Sequence, residues 1–152
     1  MRIGPRIGLD VGKSRVGVAR CDREGLLATP VVTLRRESAL EDILEIVGEI
    51  EPLEIVVGLP LNLRGNYTQS TEDAVEFARE LAAATAIPVR MVDERLSTVE
   101  AQAGFRSVGK PQKSQRTVID QAAAVILLQH ALDSEKRQGV APGRLITDAG
   151  TS

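Results

Sequence analysis

Apolar residues alternate with small or polar ones near the start of the chain, with the two-residue period of a β-strand. The run from Ile7 to Val11 shows this alternation, and a turn-forming Gly-Lys-Ser tripeptide follows it. Similar patterns predict strands over residues 6–11, 15–21 and 26–34. Because the first run is apolar on both sides of a single carboxylate, Asp10, we predict a central strand that is covered on both faces of its sheet.

Farther along the chain, apolar residues recur every three to four positions, which is the pattern of amphipathic helices. The patterns predict helices over residues 39–50, 71–84 and 114–136, a short helix that starts after Ser97, and strands over 54–58 and 87–92. Ser38 with Glu41 has the spacing of a capping box at a helix start. The order β-β-β-α-β-α-β-α-α predicts an α/β fold with a five-stranded mixed sheet and helices on both faces.

The composition favours one domain and excludes several classes of protein. A chain of 152 residues with 43% hydrophobic residues can form one core, which we place in residues 1–138, with 139–152 as a flexible tail. Aromatic residues make up only 2%, which argues against base stacking as the main binding device. Cys21 is the one cysteine, so a disulfide framework is excluded and a cytoplasmic location is expected. We expect no membrane span and no signal peptide, because no apolar run approaches about 20 residues.

Four carboxylates stand at positions where a charge needs a partner: Asp10, Asp93, Glu94 and Asp120. Asp93 and Glu94 follow the last predicted strand, and ligands of open α/β sheets bind beyond the carboxyl ends of strands. Asp120 shares a helix face with small alanines one turn later, which would let the helix approach the sheet closely. Such oxygen ligands suit Mg²⁺ or Mn²⁺, and two ions about 4 Å apart would serve phosphodiester hydrolysis.

Each acid also has a structural interpretation, which the sequence leaves open. Asp10 could pair with Lys13 or Arg15, and Asp93 and Glu94 could form a strand-end ion pair with Arg95. For Asp120, the corresponding alternative is a helix cap or a salt bridge to the cation one turn earlier. The combination of the four acids, rather than any one of them, favours a metal site.

Charges are segregated along the chain although the net charge is only −2. Seven acids and no Lys or Arg lie in residues 37–54, and four cations and no acid lie in residues 105–116. Cations around a metal centre would hold a phosphate backbone, and the alternative is a solvated basic loop. The candidate nucleic-acid contacts are Lys13, Arg15, Asn62, Arg64, Arg95, Arg106, Lys110, Lys113 and Arg116.

The blocks that carry these residues resemble the YqgF family, also called RuvX, of nucleases with a ribonuclease H-like fold. The matching blocks are 8–12, 15–19, 28–30, 56–62 with Gly65, 93–98 with Ala101, and 113–123. The resemblance spans residues 7 to about 132 and implies divalent-metal-dependent cleavage of phosphodiester bonds. By motif position it makes Asp10, the Asp93/Glu94 pair and Asp120 the metal-binding catalytic acids. Cys21 and Arg64 depart from the family pattern, where small polar and acidic residues are common.

The sequence therefore predicts a nuclease that uses Mg²⁺ or Mn²⁺, in a two-ion arrangement, on structured nucleic acid. Members of the resembled family are described both as nucleases that mature the 5′ end of pre-16S rRNA and as Holliday junction resolvases. We predict the rRNA reaction, with resolution of branched DNA as the first alternative and a non-catalytic nucleic-acid-binding module as the second. A resolvase that cuts two DNA strands symmetrically would act as a homodimer. If the protein resolves branched DNA, we therefore expect a homodimer.

Overall fold

The computed structural model describes residues 2–93 and 113–146 of the chain, and within 113–120 it describes the backbone only. One mixed sheet of six strands forms its centre. The strands are β1 (Arg6–Val11), β2 (Arg15–Cys21), β3 (Ala28–Arg35), β4 (Glu54–Leu59), β5 (Val89–Asp93) and β6 (Arg144–Ile146). The helices that pack on this sheet are α1 (Ala39–Ile50), α2 (Gln69–Ala84) and α3 (Lys113–Gln138), with a 3₁₀ turn over Arg36–Ser38.

The strand order across the sheet is β3-β2-β1-β4-β5-β6, so β1 lies in the interior. β1 pairs antiparallel with β2 and parallel with β4, and β5 continues the parallel half. Short turns suffice for the antiparallel hairpins, whereas α1 and α2 supply the crossovers that parallel pairing requires. The predicted α/β class, mixed sheet and central first strand are confirmed.

The sheet has six strands where the sequence predicted five, because part of the predicted tail is a strand. β6 pairs antiparallel with the edge of β5, and Ile146 is buried against the core. Gly143 permits this pairing because it has a φ of +69° and a Cβ there would collide with the carbonyl oxygen of Met91. Three residues are too few to show a period in sequence, and residues 147–152 lie outside the described part of the chain.

Two cores cover the two faces of the sheet, as the apolar first strand predicts. The face toward α1 and α2 carries a core that includes Ile7, Leu9, Val57, Leu81 and Met91. The opposite face packs against α3 through a core that includes Val56, Ala124, Leu127 and Leu128. Gly8 lies on the α3 face, where a Cβ would come within 2.8 Å of the Leu128 Cβ. Helix α3 therefore lies close to the centre of the sheet.

The helix starts differ in detail from the predicted capping boxes. Ser38 makes no side-chain cap, because the 3₁₀ turn leads directly into α1 and its hydroxyl instead donates to the Asp42 carboxylate at 3.0 Å. Helix α2 starts two residues earlier than predicted, with a capping box formed by Thr68 and Thr71. The predicted short helix that starts after Ser97 lies outside the described residues.

Candidate active site

Asp10 lies near the carboxyl end of the central strand β1, on the face that α3 covers. Side chains alternate along a strand, so Asp10 shares the face of Gly8, against which Leu128 packs. On β2, Asp10 pairs in register with Gly17. On β4, Leu9 pairs with Val57, so Asp10 lies beside the next residue, Gly58. Because both neighbours are glycines, the adjacent strands add no side chain beside this half-buried carboxylate.

Helix α3 runs antiparallel to β1 and brings residue 120 to the same end of that strand. The carboxylate of Glu135 contacts Arg6 at the start of β1, whereas the Ala124 carbonyl oxygen lies 3.3 Å from an ideal Cβ on Gly8. Asp120 precedes Ala124 by four residues, or about 6 Å of helix, and Asp10 follows Gly8 by about 7 Å of strand. The backbone therefore juxtaposes Asp10 and the helix position of Asp120. Ala124 is fully buried in this contact, as expected for a small residue that permits close packing.

Asp93 lies on the opposite face of the sheet from Asp10. It pairs in register with Leu59, which packs against the α1 and α2 core, whereas Val92 packs toward α3. Strand alternation then directs the exposed Asp93 side chain away from the α3 face. Glu94, the adjacent predicted acid, lies outside the described residues. Of the predicted acids, the described backbone brings together Asp10 and position 120 and sets Asp93 apart.

The predicted cations fall into three groups. Lys13 is exposed at the tip of the β1–β2 hairpin, Arg15 is half-buried at the start of β2, and Arg64 is exposed in the loop after β4. Lys113 and Arg116 belong to the first turns of α3, where only the backbone is described. The predicted contacts Arg95, Arg106 and Lys110 lie outside the described residues.

Asn62 has a structural role that sequence reasoning did not assign. Its Oδ1 accepts hydrogen bonds from the backbone N–H groups of Arg64 at 3.0 Å and Asn66 at 2.9 Å. Its own N–H donates to the Asn66 carbonyl at 3.1 Å. This is the side-chain-to-backbone bonding that favours Asn in turns. The acceptor oxygen of Asn62 therefore shapes the loop in which it lies.

A second feature missed in sequence ties the Asp10 hairpin to α2. The Arg36 guanidinium donates two hydrogen bonds to the Asp73 carboxylate, at 2.7 and 2.8 Å, and a third to the Gly12 carbonyl at 2.8 Å. It also stacks over the Phe77 ring, 5.0 Å from the centroid. Hydrogen bonding from Arg36 lowers the pKa of Asp73, against the opposing effect of its partial burial. The hydrogen bonds from Arg36 to Asp73 and to the Gly12 carbonyl therefore hold the turn that follows Asp10 against α2.

We expect Arg36→Met to loosen the hairpin tip and to reduce the free energy of unfolding by about 1–2 kcal/mol. The reason is the loss of a bidentate ion pair whose carboxylate is partly exposed to solvent. Amide hydrogen exchange should accelerate in residues 12–15 in particular. Arg35→Met is a matched control, because Arg35 is exposed and pairs only loosely with Glu37, at 3.6 Å. Equal exchange in the two variants would contradict the assignment.

A buried ionic cluster anchors the far end of α3 to the sheet. Arg2 bridges the carboxylates of Glu54, at 2.9 Å, and Glu135, at 2.7 Å. Arg6 donates to Glu135 at 3.2 Å and Arg90 donates to Glu54 at 3.1 Å. Burial opposes ionisation of Glu135, but the hydrogen bonds from Arg2 and the charge of Arg6 outweigh it and lower its pKa. The cluster therefore holds α3 in the direction that points position 120 toward Asp10.

The chemistry of the predicted acids fits a divalent cation. Carboxylate oxygens are the hard ligands that Mg²⁺ and Mn²⁺ prefer, and Asp10 is flanked by glycines that leave room beside it. Within residues 2–93 and 121–146, no three Asp, Glu, His or Cys side chains come together as a metal-binding group. The predicted set includes Glu94 and Asp120, whose side chains fall outside that part of the chain.

Cys21, the one cysteine of the chain, is not a candidate nucleophile. Cys21 is buried in the α3-side core, and burial raises the pKa of its thiol. A neutral thiol in that position is a core residue and a poor nucleophile.

Among the residues that the structure describes, no helix is long and apolar enough to cross a bilayer.

Comparison with known proteins identifies relatives over nearly the whole chain. A family profile described as RuvX, Holliday junction resolvase, matches residues 4–134. A Clavibacter sepedonicus protein named "Putative pre-16S rRNA nuclease" is 55% identical over 150 residues, which cover 96% of this chain and 93% of that protein. A protein of the same name from Leifsonia xyli is 53% identical over 146 residues, which cover 94% of each.

A solved structure shares the fold at low sequence identity. It is Thermus thermophilus RuvC in complex with Holliday junction substrate, with a TM-score of 0.59 and 18% identity over 93% of this chain and 99% of that one. At this identity the likeness concerns the fold, and it confirms the predicted ribonuclease H-like architecture. The profile match and the two close relatives show the family that the sequence motifs resemble: the chain belongs to the RuvX family.

Proposed function

We propose that this protein is a divalent-metal-dependent nuclease in which Asp10 and Asp120 hold the metal at the carboxyl end of the central strand. The observation that carries the proposal is the juxtaposition of Asp10 with the backbone of α3 at position 120. Family membership makes the chain a hydrolase of nucleic acid phosphodiester bonds.

In this proposal Glu94 is the metal ligand that follows β5, and Asp93 is not a ligand. Asp93 pairs with Leu59 on the face that packs against α1 and α2, across the sheet from Asp10. A ligand on that face would have to reach around the edge of the sheet to share a cation with Asp10. Glu94, the adjacent acid in the sequence, is therefore the proposed ligand.

Different groups of the chain bind the metal and the phosphates in this proposal. The carboxylates of Asp10, Glu94 and Asp120 hold the divalent ions, and the glycines beside Asp10 leave space for the scissile phosphate. When bound, Mg²⁺ or Mn²⁺ makes water a stronger nucleophile and neutralises charge on the phosphate. Lys13 at the hairpin tip, together with the cations at the start of α3, holds the flanking phosphates by charge.

The preferred substrate is pre-16S rRNA, because the two close relatives are named for that RNA, and we propose its 5′ end as the position of cleavage, as predicted from the sequence. A four-way DNA junction is the second candidate, which the description of the family profile favours. A homodimer is expected only for the second, since symmetric cleavage needs two active sites. The cytoplasmic location remains a prediction in either case.

Cleavage of two labelled substrates by the purified protein tests the proposal. One is a pre-16S rRNA 5′ leader with its adjoining helix, and the other is a four-way DNA junction. We expect cleavage of the RNA with Mg²⁺ or Mn²⁺ and none in excess EDTA, with activity restored when the metal is returned. A fully paired RNA duplex of equal length is the matched control. Cleavage that survives EDTA would refute the metal requirement, and binding without turnover would favour a non-catalytic module.

A further inference from the structure

The loop between β4 and α2 presents large apolar side chains to solvent. Leu63 is 91% exposed and Tyr67, the one tyrosine of the chain, is 57% exposed. Arg64 lies between them and is also exposed. An isolated exposed leucine needs no explanation, but here an apolar, a cationic and an aromatic residue share one short loop.

The loop is held in one shape by its own hydrogen bonds. Asn62 binds the backbone on both sides of the tip, and the Gly65 N–H donates to the Asn62 carbonyl at 2.9 Å. Leu61 and Tyr67 form an antiparallel bridge that closes the base. At the far end, the Thr71 hydroxyl donates to the Pro60 carbonyl. The exposed side chains are thus presented by a preorganised support, which lowers the entropy that a ligand must overcome.

The position of the loop connects it to the proposed active site. The loop leaves the sheet after Leu59, one residue beyond the β4 position that lies level with Asp10. Tyr67 also borders a cavity of about 110 Å³ on the α1 and α2 face of the sheet, across from Asp10, so this cavity is separate from the proposed active site. The positive charge of Arg64 in the loop itself favours a ligand that carries phosphates.

We propose that residues 61–67 form a base-unstacking loop, in which Leu63 inserts at the boundary between paired and unpaired nucleic acid and Tyr67 stacks on the released base. Apolar wedges that unstack a base step, and aromatic rings that receive unpaired bases, are general devices of nucleic-acid recognition. Arg64 contacts the phosphate between them. This inference rests on the proposed nuclease function and adds the substrate feature that it selects, a helix end next to a single strand.

The test measures unstacking directly and does not depend on cleavage. An RNA hairpin with a 5′ single-stranded leader carries 2-aminopurine at the last pair of its helix, and Ca²⁺ replaces Mg²⁺ as the bound cation. Binding of the wild-type protein should raise 2-aminopurine fluorescence severalfold. Leu63→Ala should lose most of that increase. Tyr67→Ala should weaken binding by about fivefold or more, and Tyr67→Phe should restore it because the ring is retained.

Leu26→Ala is the matched control, since Leu26 is 62% exposed in the β2–β3 connection. It should bind and unstack the hairpin like the wild-type protein. Thermal melting of each variant checks that the surface changes leave folding intact.

Equal fluorescence and affinity for Leu63→Ala and the wild-type protein would overturn the inference. If the wild-type protein cleaves RNA with Mg²⁺ but does not unstack the probe, the inference fails and the nuclease proposal stands. If the protein neither cleaves nor binds the hairpin, both fail, and the loop is better explained as a contact for another protein.

Discussion

Replacement of Asp10 with Asn is expected to reduce cleavage by about 100- to 1,000-fold or more, the scale on which loss of a preorganised charge affects catalysis. Asn has nearly the shape of Asp but lacks the negative charge that holds a divalent cation. The free energy of unfolding should change little, because an amide replaces a half-buried carboxylate without leaving a cavity. Single-turnover cleavage, Mn²⁺ binding by calorimetry and denaturant unfolding on the same samples separate these effects.

Asp93→Asn and Glu94→Gln provide the comparison that makes this result specific. Asp93 lies on the opposite face of the sheet, so its amide variant should keep cleavage within a few-fold of the wild-type rate, whereas Glu94→Gln should resemble Asp10→Asn. Loss of cleavage in Asp93→Asn with normal stability would reverse the assignment of the two acids. Full activity in Asp10→Asn would refute the proposed metal site.

The second large effect is expected on stability, from Glu135→Gln. Glu135 and Arg6 are both buried, and the substitution leaves the Arg6 guanidinium without its charged partner. Removal of one member of a buried ion pair costs about 3–5 kcal/mol, and we expect the lower end because Glu54 still faces Arg2. Urea unfolding measures the change. Asp133→Asn on the same helix is the control, since Asp133 is exposed and should alter stability by less than about 0.5 kcal/mol.

The pH dependence of unfolding gives an independent check on this cluster. The pKa of Glu135 is lowered in the folded chain, so folding gains stability that is fully present above the unfolded glutamate pKa of about 4.3. That gain is lost as the pH falls through the lower pKa of the folded state. The wild-type protein should therefore lose stability over this acid range more steeply than Glu135→Gln. Parallel pH curves for the two proteins would show that Glu135 does not titrate in this way.

Local patterns in the sequence were sufficient for strands β1 to β5, for helices α1 to α3 and for the position of Asp10 in the central strand. The two-residue period around Asp10 depends only on neighbouring positions, and it correctly predicted an interior strand that is buried on both faces. The order of strands and helices then restricted the topology, because parallel strands need crossover helices and antiparallel ones do not. The motifs that resemble the RuvX family were also readable in this way, and family comparison bears them out.

The relations between distant residues were not readable from the sequence. Arg2 and Glu135 are 133 positions apart, and their contact depends on the direction in which α3 crosses the sheet. The fork between Arg36 and Asp73 likewise depends on how α2 packs, which no local period encodes. The three-residue strand β6 exists because β5 offers an edge and Gly143 permits the turn toward it.

The sequence by itself determined the fold class and the family, because these follow from local alternation, element order and motif content, and it supplied the candidate acids as a prediction. Only the tertiary structure showed that Asp10 and Asp93 lie on opposite faces of the sheet. The motif positions make both Asp10 and the Asp93/Glu94 pair candidate ligands. Pairing with Leu59, however, sets Asp93 toward the α1 and α2 core, and packing of α3 over Gly8 sets Asp10 beneath that helix. Strand register and helix direction together decide which side chains share a face, and both depend on packing across the whole domain.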